Sequence, residues 1–209
     1  ALAGKFPKAC RRRYDAHHGL HAEPWRAEVG LRILGGAIVR AAARFDRVAV
    51  PVLSVSHGHW MRVVARVSDG KKDADAALRS LANATVEDGL GRFVPLDAKA
   101  APWAGPLWSG PLHDAALLDG MVAATEGKTL AQPKAVAALL ALLRGEADAS
   151  PFWVVPDEFQ RELGPPPRRA VLMERLRSAG RTAARSHLDP QGVRTDATLA
   201  DLRAAWPTG

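Results

Sequence analysis

Cysteine is almost absent from this sequence: Cys10 is the single one among 209 residues. An internal disulfide is therefore impossible, which excludes the disulfide-stabilised secreted domains and favours a reduced, cytoplasmic setting. No apolar run approaches the roughly 18 residues that a membrane-spanning helix needs. The first residues, ALAGKFPKACRRRYD, also contain no hydrophobic block of signal-peptide length. We expect no membrane partner.

The common catalytic motifs are missing as well. No G-x-G-x-x-G loop opens a helix after a strand, and there is no GxxxxGK[ST], no G-x-S-x-G and no cysteine ladder for zinc. His57 and His59 flank Gly58, and a metal-dependent hydrolase would need a carboxylate or a further histidine beside them. We predict no metal site and no catalytic residue. Taken alone, the sequence is typical of a binding surface without a catalytic centre.

Positive charge is present in excess and is unevenly distributed. The chain is 47% hydrophobic, enough for a sizeable core, with a formal net charge of +7. Residues 1–66 carry a balance of +8, residues 67–150 carry −3 and residues 151–209 carry +2. A polyanion is the partner that this balance favours, and the basic excess is a property of the first third of the chain.

Helix-like and strand-like patterns alternate along the chain, which predicts an α/β or α+β fold. Apolar spacing predicts a helix over Trp25–Phe45, and Gly35-Gly36 in its middle indicates close packing against a sheet. Two β-rich runs follow, Val48–Val55 and Trp60–Val67. Pro51 lacks an amide hydrogen for a ladder, so we expect the first run to be an edge strand.

Alternation in the second run predicts two different faces. Met61, Val63, Ala65 and Val67 should face the core, opposite a face of Trp60, Arg62, Val64 and Arg66. The polar stretch Ser68–Asp75 is the predicted domain boundary. Beyond it, the patterns predict a helix, a hairpin turning near Asp88-Gly89, two helices, a strand at FWVV, two further helices, a strand within Arg181–Leu188 and a final helix.

Two stretches combine several basic residues with aromatic or histidine side chains. Lys5–His18, KFPKACRRRYDAHH, fits nucleic-acid contact, because cations neutralise phosphates and Tyr14 can stack on a base; a solvated basic loop is the alternative. In RTAARSHL, a period of two places Arg181, Arg185 and His187 on one side of a strand, and the following turn returns Arg194 toward them. This group suits phosphate oxygens, unless the strand is simply solvated.

A further stretch, GPLWSGPLHD (residues 105–114), frames Trp108 with two Gly-Pro-Leu units. Asp114 can cap the following helix, or residues of this stretch can line a groove.

In chain order, several segments resemble the tRNA (guanine-N2)-dimethyltransferase family. They are ALAG…PKACRRRYDA, HAEPWRAEVGLRILGGAIVRAAARFD, VPVLSVSHGHWMRVVARV, GPLWSGPLHD and LRSAGRTAARSHLDPQGVRTDA. The resemblance extends from the first residue to about Ala197. The sequence departs from it in one place, since GLGRFVPLDAKAAPW lacks the Cys-x-x-Cys pair that many members carry there.

The resemblance implies an enzyme that methylates N2 of guanine 26 in tRNA with S-adenosyl-L-methionine. The chain would be its carboxyl-terminal part, with the cofactor loop and catalytic motif in an N-terminal methyltransferase half that precedes it. Residues 1–70 would be the last helix and strands of a Rossmann-like domain, and residues 71–209 a smaller tRNA-binding α+β domain. A free-standing RNA-binding module without activity is the alternative, and we expect no DNA partner.

The expected tRNA contacts unite the basic stretches with the arginine face of the second strand. Cofactor-binding residues cannot be named from the sequence. The predicted RNA-binding residues are Arg11, Arg12, Arg13, Tyr14, Trp60, Arg62, Arg185, His187 and Arg194.

Overall fold

The computed structural model describes residues 2–19, 24–98 and 102–206, which form eight α-helices and seven strands among these ranges. The chain divides into two compact units, Ala1–Glu87 with Gly91–Leu112, and Asp88–Leu90 with His113–Gly209. Within the described ranges, no helix has both the length and the apolar character needed to cross a bilayer.

The first unit contains three helices and five strands in two small antiparallel sheets. β1 pairs with β2, and β3 lies between β4 and β5. The elements are α1 Pro7–Tyr14, α2 Arg26–Ala43, β1 Arg47–His57, β2 Trp60–Asp69, α3 Lys71–Arg79, β3 Leu81–Glu87, β4 Leu90–Val94 and β5 Ala104–Trp108.

The second unit is mainly helical. Its core joins Leu172 and Leu176 of one helix to Leu202 of another and to Val193 of a short hairpin. The elements are α4 Ala115–Thr125, α5 Pro133–Glu146, a 3-10 turn at Pro156–Phe159, α6 Gln160–Leu163, α7 Arg169–Ser178, β6 Ala184–Arg185, β7 Val193–Arg194 and α8 Leu199–Ala205.

Helix α2 packs closely against strands, as Gly35 and Gly36 predicted. A Cβ atom on Gly35 would lie 3.2 Å from Cβ of Trp108 and 3.3 Å from Cγ of Pro51. A Cβ on Gly36 would lie 3.4 Å from the backbone nitrogen of Trp108. The two glycines thus let α2 approach β1 and β5 at distances that side chains would crowd.

The first hairpin confirms the predicted pair of strands. β1 pairs only with β2 among the described residues, and its register shifts by one residue just after Pro51. Proline cannot donate to a ladder, so a bulge beside it is the expected accommodation. Gly58 takes a left-handed conformation, with φ of +57°, in the turn between the two strands.

The boundary between the compact units differs from the predicted one at residues 70/71. Helix α3 packs against α2 and β1, and β5 packs against α2, so residues 71–87 and 91–112 belong to the first unit. The polar stretch Ser68–Asp75 is therefore a connection inside that unit.

The basic stretch at residues 7–14 is helix α1, which begins with Pro7 in its first turn and ends at Asp15 in a left-handed conformation. Two local strand predictions need correction. FWVV is not a strand: Phe152 has φ of +64°, and only Val154 forms an isolated bridge. The strand predicted within Arg181–Leu188 is only two residues long.

Candidate nucleic-acid interface

Helix α1 presents its cations to solvent. Arg11, Arg12 and Arg13 are all exposed in its last turn, whereas Cys10 is fully buried and anchors the helix. Burial raises the pKa of the Cys10 thiol, as fits a structural residue. The three arginines have no ion-pair partner among residues 2–19, 24–98 and 102–206. They also interact favourably with the negative end of the helix dipole, an effect worth about 0.3–1 kcal/mol each.

The exposed face of β2 carries an aromatic ring beside a cation. Trp60 is 49% exposed, and the guanidinium carbon of Arg62 lies 5.6 Å from the centre of its ring. The His57 ring lies 5.9 Å from the same ring. The predicted alternation is confirmed from Trp60 to Arg66. It was wrong for Val67, which is 51% exposed near the end of the strand.

Of the three RNA-contact candidates near the carboxyl end, one side chain is exposed and two are buried. Arg185 is exposed, but Arg194 retains only 2% of its surface and its Nε donates to Oε2 of Glu146 over 2.8 Å. Nδ1 of His187 contacts Oε1 of the same carboxylate. An internal glutamate thus engages both His187 and Arg194, which were predicted to contact phosphates, and neither side chain is exposed in this structure. Arg185 remains a candidate.

Glu146, at the end of α5, is the centre of this buried cluster. Its Oε1 also lies 3.1 Å from Nε2 of His113, and its Oε2 accepts from the backbone nitrogen of His187 over 3.2 Å. Burial alone would raise the pKa of Glu146. Hydrogen bonds from both histidines and the charge of Arg194 outweigh burial and hold that pKa well below its usual range. The pKa of His113 is lowered, chiefly by burial.

His113, Glu146 and His187 could in principle hold a metal, since one donor atom from each lies within 4.8 Å of the others. Two observations disfavour that use. Arg194 already places a positive charge on the carboxylate. In addition, the outer ring nitrogens, Nδ1 of His113 and Nε2 of His187, have no hydrogen-bond partner in the described part of the chain. Metal-bound histidines almost always donate that outer N–H to an acceptor. The arrangement fits an internal ion pair better.

His57 and His59, the other histidines considered for metal binding, are exposed in the hairpin turn. They do not belong to any group of three or more possible metal ligands within the described ranges.

The GPLWSGPLHD stretch is held by a buried ion pair that the sequence did not reveal. Arg32 donates to the backbone oxygens of Trp108 and Gly110 over 2.8 and 2.9 Å, and pairs with Glu28 at 2.8 Å. The Glu28/Arg32 spacing of four residues on a helix was the available signal. Asp114 caps α4 as predicted, because its Oδ1 accepts from the backbone nitrogen of Leu117 over 3.0 Å.

Exposed cations thus occur on α1 and, beside the ring of Trp60, on β2. A family model described as N2,N2-dimethylguanosine tRNA methyltransferase matches residues 1–205. The chain belongs to this family, as its motifs indicated.

Several relatives of the chain are named tRNA (guanine(26)-N(2))-dimethyltransferase. That of Pyrococcus abyssi is 31% identical over 94% of this chain and 52% of its own length. That of Thermococcus kodakarensis is 34% identical over 94% of this chain and 52% of its own length. The solved structure of Trm1 from Pyrococcus horikoshii with S-adenosyl-L-methionine has a TM-score of 0.85 and 30% identity, and covers 98% of this chain and 55% of that one.

These similarities confirm an α/β fold of this family. They favour the interpretation as a region of a methyltransferase over that as a free-standing RNA-binding module. The chain spans about half the length of the relatives that it matches.

Proposed function

We propose that this chain is the carboxyl-terminal part of an S-adenosyl-L-methionine-dependent enzyme that methylates N2 of guanine 26 in tRNA, and that its own task is to hold the tRNA. The family match over residues 1–205 carries the first half of this proposal. The second half depends on Arg11, Arg12 and Arg13, which are exposed and lack ion-pair partners within the described ranges. Such cations suit phosphate oxygens.

In this proposal, α2, β1 and β2 are the last helix and strand pair of a Rossmann-like methyltransferase domain. The packing of α2 on an antiparallel pair supports this assignment. An N-terminal half of the same enzyme would supply the rest of that domain. The later part of the chain would be the tRNA-binding domain, and the division into two compact units supports a start at His113 for it.

The chain's own residues would work by positioning. The arginines of α1, with Arg62 and Arg185, would engage phosphates, while Trp60 and Tyr14 offer faces on which unpaired bases can stack. Unstacking the target guanine costs a few kcal/mol, and phosphate contacts offset that cost. S-adenosyl-L-methionine supplies an activated methyl group. No glycine-rich strand–loop–helix motif occurs in this sequence, so we assign none of its residues to the cofactor.

Binding of a tRNA transcript to the chain tests the tRNA-holding role. With about six phosphate contacts, affinity should fall about 10³-fold between 50 and 200 mM salt. A duplex DNA of equal charge should bind more weakly. Equal affinity for the two would contradict a specific tRNA role.

Methyl transfer by the full-length enzyme tests the enzymatic role. Its product, analysed by nuclease digestion and mass spectrometry, should carry the methyl groups on N2 of guanine 26. Replacement of Arg11, Arg12 and Arg13 by Gln in that enzyme should raise KM for tRNA and leave kcat largely unchanged. Methylation at another position, or a fall in kcat alone, would oppose the proposal.

A further inference from the structure

A second group of cations lines a surface cavity of about 380 Å³ formed by residues of α1 and α2. Arg40 and Arg44, one turn apart on the last part of α2 and just beyond its end, face this cavity together with Arg13 of α1. Like charges four residues apart on a helix repel each other by a few tenths of a kcal/mol. A third cation from another helix adds to that repulsion.

Among the residues that the structure describes, Asp15 is the one carboxylate that lines the cavity. Arg40 donates through Nη2 to the backbone oxygen of Tyr14, whereas its Nη1 is buried without a hydrogen-bond partner among the described residues. Burial lowers the pKa of Arg40; Asp15 raises that pKa and Arg44 lowers it. Among the described residues, three arginines thus line the cavity with one carboxylate, which gives it a positive excess.

The walls of the cavity suit a nucleotide better than a bare ion. Ala37, Ile38 and Ala41 provide apolar surface, and Tyr14 contributes an aromatic side chain. Guanidinium groups bind phosphate through paired N–H donors, and aromatic rings stack on bases. The cavity thus offers charge for a phosphate and apolar surface for the sugar and base that accompany it.

We propose that Arg13, Arg40 and Arg44 form a phosphate-binding site for one phosphodiester of the bound RNA, with the adjoining nucleoside against Tyr14. This proposal rests on the tRNA-holding role proposed above and adds to it two residues of α2, Arg40 and Arg44. Helix α1 then contributes cations to two cavities, since Lys8, Arg11 and Arg12 line a separate one with His17. Residues of both cavities would contact the RNA.

A structural explanation competes with this one. Cations at the end of a helix stabilise it through the helix dipole, and Arg40 and Arg44 lie near the carboxyl end of α2. That role predicts a lower melting temperature for an Arg44→Gln variant and unchanged RNA binding.

The test measures tRNA affinity of the 209-residue chain as a function of salt, for the wild type, Arg13→Gln and Arg44→Gln. Both side chains are exposed, so each variant should fold and lose no more than the dipole interaction, about 0.3–1 kcal/mol. Each should lower affinity about threefold to tenfold at low salt and reduce the slope of log K against log salt by about 0.7–0.9. Arg79→Gln is the matched control, an exposed arginine at the end of α3 outside this cavity.

The possible failures are distinguishable. If the wild type does not bind tRNA, the tRNA-holding role itself fails, and this proposal with it. If the wild type binds and both variants bind like Arg79→Gln, the tRNA-holding role stands and the phosphate site is refuted. A thermal melt with inorganic phosphate tests whether the cavity binds a free anion instead. The assignment to RNA would be overturned if phosphate raised the melting temperature of the wild type but not of Arg44→Gln, while the salt slope of tRNA binding stayed unchanged in the variant.

Discussion

Helix α1 in the first unit and the Glu146 cluster in the second unit each bring several cationic or titratable side chains together. In α1, three consecutive arginines are exposed and have no carboxylate partner within the described ranges. In the cluster, Arg194 and two histidines surround one buried carboxylate. The presence or absence of one acidic side chain decides whether a cation stabilises the fold or remains available to a polyanion.

The largest expected effect comes from removing that carboxylate. Glu146→Gln would leave Arg194 buried without its counter-charge, and breaking a buried pair in this way costs about 3–5 kcal/mol. Chemical denaturation should show this fall in the free energy of unfolding. Asp148→Asn is the control: it lies two residues further on, pairs with Arg144 on the surface, and should change stability by less than about 0.5 kcal/mol. If the two variants lowered the free energy of unfolding equally, the buried cluster would stabilise the fold no more than the surface ion pair.

Acid should weaken the cluster more than it weakens α1. Because the pKa of His113 lies below its ordinary value of 6.5, the unfolded chain binds that proton first, and stability falls as pH drops below about 6.5. Because the pKa of Glu146 also lies below its ordinary value of 4.5, stability falls further below about pH 4.5. Both groups therefore make acid destabilising.

Melting temperatures from about pH 7 down to about pH 2 measure this effect. His18 of the first unit is also buried, with a pKa lowered by burial, and contributes in the upper part of the same range. The comparison with Glu146→Gln isolates the cluster, since that variant should lose the component below pH 4.5. An identical acid profile in the variant would show that Glu146 does not carry it.

The arginines of α1 should affect tRNA binding strongly and the stability of the fold only weakly, in contrast to the Glu146 cluster. Replacing Arg11, Arg12 and Arg13 by Gln should lower tRNA affinity by roughly tenfold to a hundredfold at low salt and reduce the salt slope by about 2–3. Stability should fall by no more than about 1–2 kcal/mol, through the lost interaction with the helix dipole. Fluorescence anisotropy with labelled tRNA and a thermal melt measure the two quantities. A stability loss without an affinity loss would make α1 a structural element like the cluster.

Local patterns predicted the parts of the fold whose residues are close in sequence. Helix α2, the β1–β2 hairpin, the turn at Asp88-Gly89 and the Asp114 cap all depend on neighbours within a few positions, and the structure contains each of them. Helix α1 escaped prediction because its eight residues include four cations and little apolar periodicity. FWVV was misread because short apolar runs suit strands and buried loops equally.

The Glu146 cluster could not be predicted from local patterns, for a different reason. Glu146 is 48 residues from Arg194 and 33 from His113, so no local spacing connects them. A period of two placed His187 beside Arg185 on one face, but the strand is too short to impose that period. Which cations find a buried carboxylate is decided by tertiary packing, and the sequence pattern alone treats buried and exposed arginines alike.

Arg185 provides the smallest and sharpest test, because it lies in the same hairpin as Arg194 and is exposed. Arg185→Gln should leave the free energy of unfolding within about 0.5 kcal/mol of the wild type. If Arg185 is a phosphate contact, the variant should reduce the salt slope of tRNA binding by about 0.7–0.9. Arg194→Gln should instead lower stability by several kcal/mol, since it leaves Glu146 buried with one fewer cation. An unchanged slope for Arg185→Gln would exclude Arg185 as a phosphate contact and leave the named candidates in the first unit.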